Sequence, residues 1–241
     1  MKFTTIISTI IFGAVLVTVA GCGLTEFDNY DKPKSTLTGA VVHDGDTLQL
    51  RSGAVELEIW EDGYTDYEKI PVEVGQDGTF SSSLFEGQYK MTQLVGDGPW
   101  VTNTDTTEFE LSGSKDMQFE VEPFYKVASS DIRLDGSEIV ADFTLEEVND
   151  SRNITWVTLF IGTGRFTSIQ QNSFFWNQIS ETGDPQNPYQ IDENGANTYS
   201  PPLSALPEDL ANREYVFARI AVEIDGKEDA LYSKVHKIML Q

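Results

Sequence analysis

The stretch Tyr215-Val216-Phe217-Ala218-Arg219-Ile220-Ala221-Val222-Glu223-Ile224-Asp225-Gly226 decides the fold class. Val216, Ala218, Ile220, Val222 and Ile224 fall on alternate positions, the period of a strand with one buried face. Asp225-Gly226 then supplies a turn that ends the strand. Tyr232 to Leu240 follows as the last strand of the chain. Upstream, Ile154 to Ile161 is a strongly apolar strand whose Trp156 is expected in the core, as in sandwich folds. Ile139, Ala141, Phe143 and Leu145 form another apolar face, behind an Asp135-Gly136 turn that follows Ile132 and Leu134.

The same alternation fills the first half. Leu37, Gly39 and Val41 open a strand before Asp44-Gly45, and Val55, Leu57 and Ile59 alternate with Glu56, Glu58 and Trp60. Phe109 and Leu111, a turn at Gly113, and Met117, Phe119 and Val121 read as a hairpin. Pro123 cannot donate to a ladder, so it marks a boundary between two halves. No heptads or sustained 3.6-residue patterns follow residue 25. The expected fold is all-β, with two β-sandwich domains in tandem, at 36–123 and 124–241, and a long loop region at 165–210. Five of the nine prolines lie in that loop region, which argues against a regular sheet there.

Residues 1–21 read as a signal peptide: Lys2 precedes an uncharged apolar run that is short for a membrane span. The run ends in Val19-Ala20-Gly21-Cys22, which resembles the bacterial lipobox, and Cys22 is the only cysteine of the chain. Cys22 is therefore the expected lipidation site, with 22–35 as a lipidated N-terminus and linker. The early acids Glu26 and Asp28 resemble a signal for surface display in lipoproteins of Bacteroidota. The expected location is the outer membrane, lipid-anchored and exposed at the cell surface.

Composition narrows the function. With 39 acidic and 16 basic residues among 241, the formal charge is −23, so nucleic acid is a poor partner. A hydrophobic fraction of 39% is too rich for an acidic disordered tail. One cysteine and two histidines do not make a zinc or iron–sulfur site, and Asp44-Gly45-Asp46 and Asp225 to Asp229 lack EF-hand spacing. No metal ligand or cofactor is assigned. Gly-x-Ser-x-Gly, His-Glu-x-x-His and Walker motifs are absent, so the chain is not expected to be an enzyme.

Leu37-Thr38-Gly39-Ala40-Val41, Asp77-Gly78-Thr79-Phe80 and Gly87-Gln88-Tyr89-Lys90 together resemble the transthyretin-like, carboxypeptidase-regulatory sandwich. Leu206-Pro207, Tyr215, Arg219, Gly226 and Tyr232-Ser233 resemble the end of a fibronectin type III domain, with Tyr215 at the tyrosine corner. Asn29-Tyr30-Asp31-Lys32-Pro33, Leu84 to Lys90 and Gly98-Pro99-Trp100 are similar to a two-domain Bacteroidota lipoprotein family of unknown function from polysaccharide-utilisation loci.

That resemblance implies a glycan-binding accessory role in a polysaccharide uptake system, beside an outer-membrane transporter and lipoprotein assembly. It carries no binding residues with it. The residues themselves point to 165–210, where Phe174-Phe175-Trp176, Tyr189 and Tyr199 are interleaved with Asn172, Asn177, Gln178, Asn187 and Asn197. Aromatic faces stack on sugar rings and amides bond their hydroxyls. The expected site is Phe175, Trp176 and Tyr189, joined by Trp100 from the first domain, and the strong negative charge favours a neutral glycan. The alternative is a structural or partner-docking, adhesin-like surface lipoprotein that binds no glycan.

Overall fold

A computed structural model describes residues 31–63, 68–170, 173–181 and 191–241 of the chain. Cys22 and the signal segment lie outside the described residues. Lys34–Gln241 form one compact unit, built of two domains.

The N-terminal domain packs two sheets. In the first, β1 (Ser35–His43) pairs antiparallel with the short β2 (Asp46–Thr47) and with β5 (Thr79–Leu84), and parallel with β8 (Ser114–Glu120). The second runs in the order β4 (Ile70–Glu73), β3 (Glu56–Glu61), β6 (Gly87–Gln93) and β7 (Thr107–Leu111). Alternate residues of each sheet face one core that includes Leu37, Val41, Leu57, Ile59, Met91 and Leu111. Gly39 is required by this packing, because a Cβ there would overlap both Met117 O and the Phe80 ring.

The expected hairpin around Gly113 is not one. β7 pairs with β6 and β8 with β1, so the turn carries the chain from one sheet to the other. Alternation sets the buried face of each strand but not its partner.

The C-terminal domain also has two sheets. β13 (Ala196–Tyr199), β10 (Glu138–Glu147) and β9 (Tyr125–Asp135) form one. In the other, β12 (Ser173–Glu181), β11 (Ile154–Gly162), β14 (Tyr215–Ile224) and β15 (Leu231–Tyr232) run in order, and β16 (His236–Met239) also pairs with β14. A single helical turn, α1 (Glu208–Ala211), follows Pro207. The core lies between the sheets, with Ile139, Phe143, Val157, Leu159, Ile220 and Val222 at its centre.

Three expectations change here. Residues 165–210 contain a nine-residue strand, β12, and the shorter β13; β12 sits at the end of its sheet, where one side of the ladder needs no partner. Trp156 is half-buried and faces away from the core. The register of β11 shifts between Ile154 and Trp156, so Ile154, Val157, Leu159 and Ile161 take the inner positions. Tyr215 is 36% exposed and lies edge-on to Phe217 under the Lys237 ammonium, so it is no buried corner.

The two domains exchange side chains. Leu231 packs in the N-terminal core, and Val101 packs against the C-terminal one. The backbone of 99–101 also pairs with the connecting segment: Val101 N–H donates to Glu122 O at 2.8 Å, and Trp100 bridges to Pro123.

Candidate functional site

Trp100 is fully buried, so it offers no face to a sugar. Its indole lies on Gly98, where a Cβ would overlap the ring, and its Nε1–H donates to Gln93 Oε1. The same Gln93, itself buried, donates from Nε2 to Asn103 O at 2.7 Å. Trp100 is thereby removed from the expected contact set. Its role is structural, since together with Gln93 it fixes the 99–105 segment. Phe175 and Trp176 lie on β12, whose backbone pairs them with Ile161 and Phe160. Their side chains, and Tyr189 altogether, lie outside the described residues.

The segment held by Trp100 walls a cleft of about 480 Å³ on the β8 side of β1. Val101, Phe119 and Val121 form its apolar floor, and Asn103, Asp105, Thr107, His43, Glu120 and Glu122 its polar rim. No lysine or arginine lines it. Imidazole, amide, hydroxyl and carboxylate groups of this kind bond vicinal hydroxyls, while three carboxylates repel an anion. His43 Nδ1 lies 3.0 Å from Val121 O, which orients the ring, and Nε2 lies 3.7 Å from Asp44 Oδ2. His43, Asp44 and Glu120 present ligand atoms within 4.8 Å of one another, and they are the residues here able to hold a cation.

A second cleft, about 430 Å³, lies on the β2 side of β1, between the domains. Thr47 and Gln49 line it from the N-terminal domain, and Lys126, Ser129, Ser130, Tyr232 and Lys234 from the C-terminal one. Gln49 and Tyr232 also bridge backbone to backbone, so the cleft has a rigid root.

Behind Tyr232 sits Arg219, fully buried. Its Nε and one terminal nitrogen donate to Ser233 O at 3.2 and 2.9 Å, and the other donates to Leu50 O at 3.0 Å. The guanidinium lies 4.2 Å from the centroid of the Tyr232 ring, and no carboxylate pairs with it among the described residues. Burial pulls it down to about 10, so it remains charged at neutral pH. Nearby, Arg51 pairs with the buried Asp229 at 3.0 Å.

No motif in the sequence joined these cleft residues to one another. They come from strand ends and turns spread from 43 to 234, and only the topology joins them. A usable signal lay in Gln93, a glutamine on the buried register of the alternating Tyr89-Met91 strand.

Comparison with known proteins places the chain. Residues 35–122 match a family model described as the N-terminal domain of a protein of unknown function, DUF3823, and residues 125–237 match the domain of unknown function DUF3823_C. A DUF3823 family protein from Bacteroides ovatus is 30% identical, with a TM-score of 0.76, over 86% of this chain and 100% of that one. Another from Parabacteroides merdae is also 30% identical, with a TM-score of 0.75 and the same coverage. A Bacteroides uniformis structure, described provisionally as a carbohydrate-binding protein, shares the fold at 18% identity and a TM-score of 0.67, over 86% of this chain and 100% of that one. No curated protein matches the chain. With both of its domains matched, the chain belongs to the DUF3823 family.

Proposed function

We propose that this protein is a non-enzymatic, glycan-binding accessory lipoprotein of a polysaccharide uptake system. In this reading Cys22 carries the lipid that anchors it to the outer membrane, facing outward beside a transporter and lipoprotein assembly. The observation that carries the reading is the acidic cleft. Its rim of Asn103, Asp105, Thr107 and His43 over an apolar floor matches the chemistry of a neutral sugar, polar at the ring edge and apolar on the ring face. Phe175, Trp176 and Tyr189 are proposed as an additional stacking surface. The shared fold with the Bacteroides uniformis protein is compatible with this role.

A screen of the secreted chain against an array of neutral plant and host glycans tests the reading. The best hit should lose at least tenfold in affinity on Asn103→Ala with Asp105→Ala. Trp176→Ala should weaken it as well, without lowering the melting temperature. An array without a neutral hit, or a hit indifferent to all three substitutions, favours the docking role instead. Cys22→Ser should move the protein out of the membrane fraction; retention there defeats the anchor.

A further inference from the structure

The junction cleft carries the opposite charge from its neighbour. Lys126 and Lys234 line it against a single acid, Asp46, in a chain with 39 acids and 16 bases. Several cations elsewhere are held in ion pairs. Lys69 lies 3.0 and 2.7 Å from Glu56 and Glu58, Lys90 reaches Asp62 and Glu108, and Arg133 reaches Asp131 and Asp142. Lys126 has one partner, Glu146, at 3.1 Å, and Lys234 has no ion pair among the described residues.

Arg219 adds to this asymmetry. It is a full positive charge held one aromatic ring behind the cleft wall, compensated by two carbonyl oxygens and the Tyr232 face. A charge in that low-dielectric position acts on its surroundings more strongly than one in water. Ser129 and Ser130 add hydroxyls on the same wall, with Ser130 Oγ 2.8 Å from His236 Nε2. The net charge of the chain does not cancel the local one, because at physiological salt charges farther than about 8 Å are screened.

We propose that the junction cleft binds the anionic substituent of a sugar, a carboxylate or a sulfate ester, with Lys234 and Lys126 as its charge partners. Its volume of about 430 Å³ accommodates one or two sugar rings. The proposal rests on the glycan reading above but on a different cleft. A protein with both would take a polymer whose neutral units meet the acidic cleft and whose occasional acidic unit meets this one.

Calorimetry of the full chain with tetragalacturonate and with its methyl ester tests it, and galactose 6-sulfate against galactose provides the sulfate arm. The acid should bind at least tenfold more tightly than its neutral ester at 50 mM salt, and the gap should narrow at 300 mM. Lys234→Gln and Lys126→Gln should each weaken the acid severalfold and together abolish the preference, whereas Lys234→Arg should keep it. Preference for galacturonate alone or sulfate alone identifies the substituent. Equal binding of acid and ester, binding of neither acid, or an unchanged preference in the double glutamine variant overturns the proposal. Asn103→Ala with Asp105→Ala leaves this preference intact, so failure here is distinguishable from failure of the acidic-cleft reading.

Discussion

On one side of the β1–β2 hairpin, Asp105, Glu120 and Glu122 face a cleft without a lysine or arginine; on the other, Lys126 and Lys234 face one with a single aspartate. The two lie about one strand of the same sheet, yet their walls have different origins. The acidic cleft belongs to the N-terminal domain alone. The junction cleft exists because the second domain returns Leu231 to the core of the first and lays Tyr232 against Gln49. A formal charge of −23 describes neither of them. Long-range repulsion follows the net charge, whereas contact chemistry follows the few groups inside a Debye length.

The largest effect should come from the support of the acidic cleft. Trp100→Ala removes a fully buried indole and leaves a cavity, and is expected to cost about 3–5 kcal/mol. Denaturant unfolding measures this directly; a loss below about 1 kcal/mol is outside the range for such a truncation and means the indole is not core. Arg219→Met tests the support of the other cleft. It strips donors from Leu50 O and Ser233 O but also removes a buried charge, so the two terms oppose each other. The expected net loss is about 2 kcal/mol, smaller than for Trp100. A variant more stable than the wild type would show that desolvation outweighs the pinning of the two domains.

Much of this was legible in the chain. Alternation located the core faces of β1, β3, β10 and β14, because a strand with one wet face must repeat every second residue. It misplaced what depends on tertiary context. Trp156 belongs to an apolar strand, but a shift of register beside it turned the indole outward. Arg219 and Ala221 sit on what a simple alternation makes the solvent face of β14, and both are buried because the first domain and the 230–233 segment cover them. Trp100 looked like a loop residue after Gly98-Pro99, yet the loop folds over its own tryptophan. No periodicity encodes which domain covers which face.

Gln93 sharpens the link between core and cleft. Gln93→Leu preserves the buried volume but leaves the Trp100 N–H and Asn103 O without their partner. The expected loss is about 1–2 kcal/mol, since a buried unpaired group costs about that much. Affinity for a neutral glycan should fall with it, because Asn103 is no longer held, while the acid preference of the junction cleft should not change. If both clefts lose affinity together, the hairpin couples them and they are one site.

The smallest effect concerns acid. His236 is half-buried beside Ser130, and burial lowers its affinity for a proton, partly opposed by the carboxylate of Asp131. The unfolded chain therefore binds the proton more readily, near pH 6.5, than the folded one does. Below that value the unfolded state holds more protons, so stability falls as pH falls and levels off only once the folded histidine also titrates. His236→Gln keeps a hydrogen-bonding partner for Ser130 and removes the titration, so its melting temperature should fall less than that of the wild type between pH 7.5 and 5. Asp77, whose proton affinity is lowered chiefly by the Thr79 hydroxyl, adds stability that is kept across this range and lost only at lower pH, below the ordinary carboxylate value. Protonation of His236 also adds a positive charge behind Ser130, on the wall of the junction cleft. Galacturonate, unlike its methyl ester, should then bind more tightly at pH 5.5 than at pH 7.5, and this gain should vanish in His236→Gln. A gain that persists in the variant assigns it to another group and leaves His236 a purely structural partner of β9.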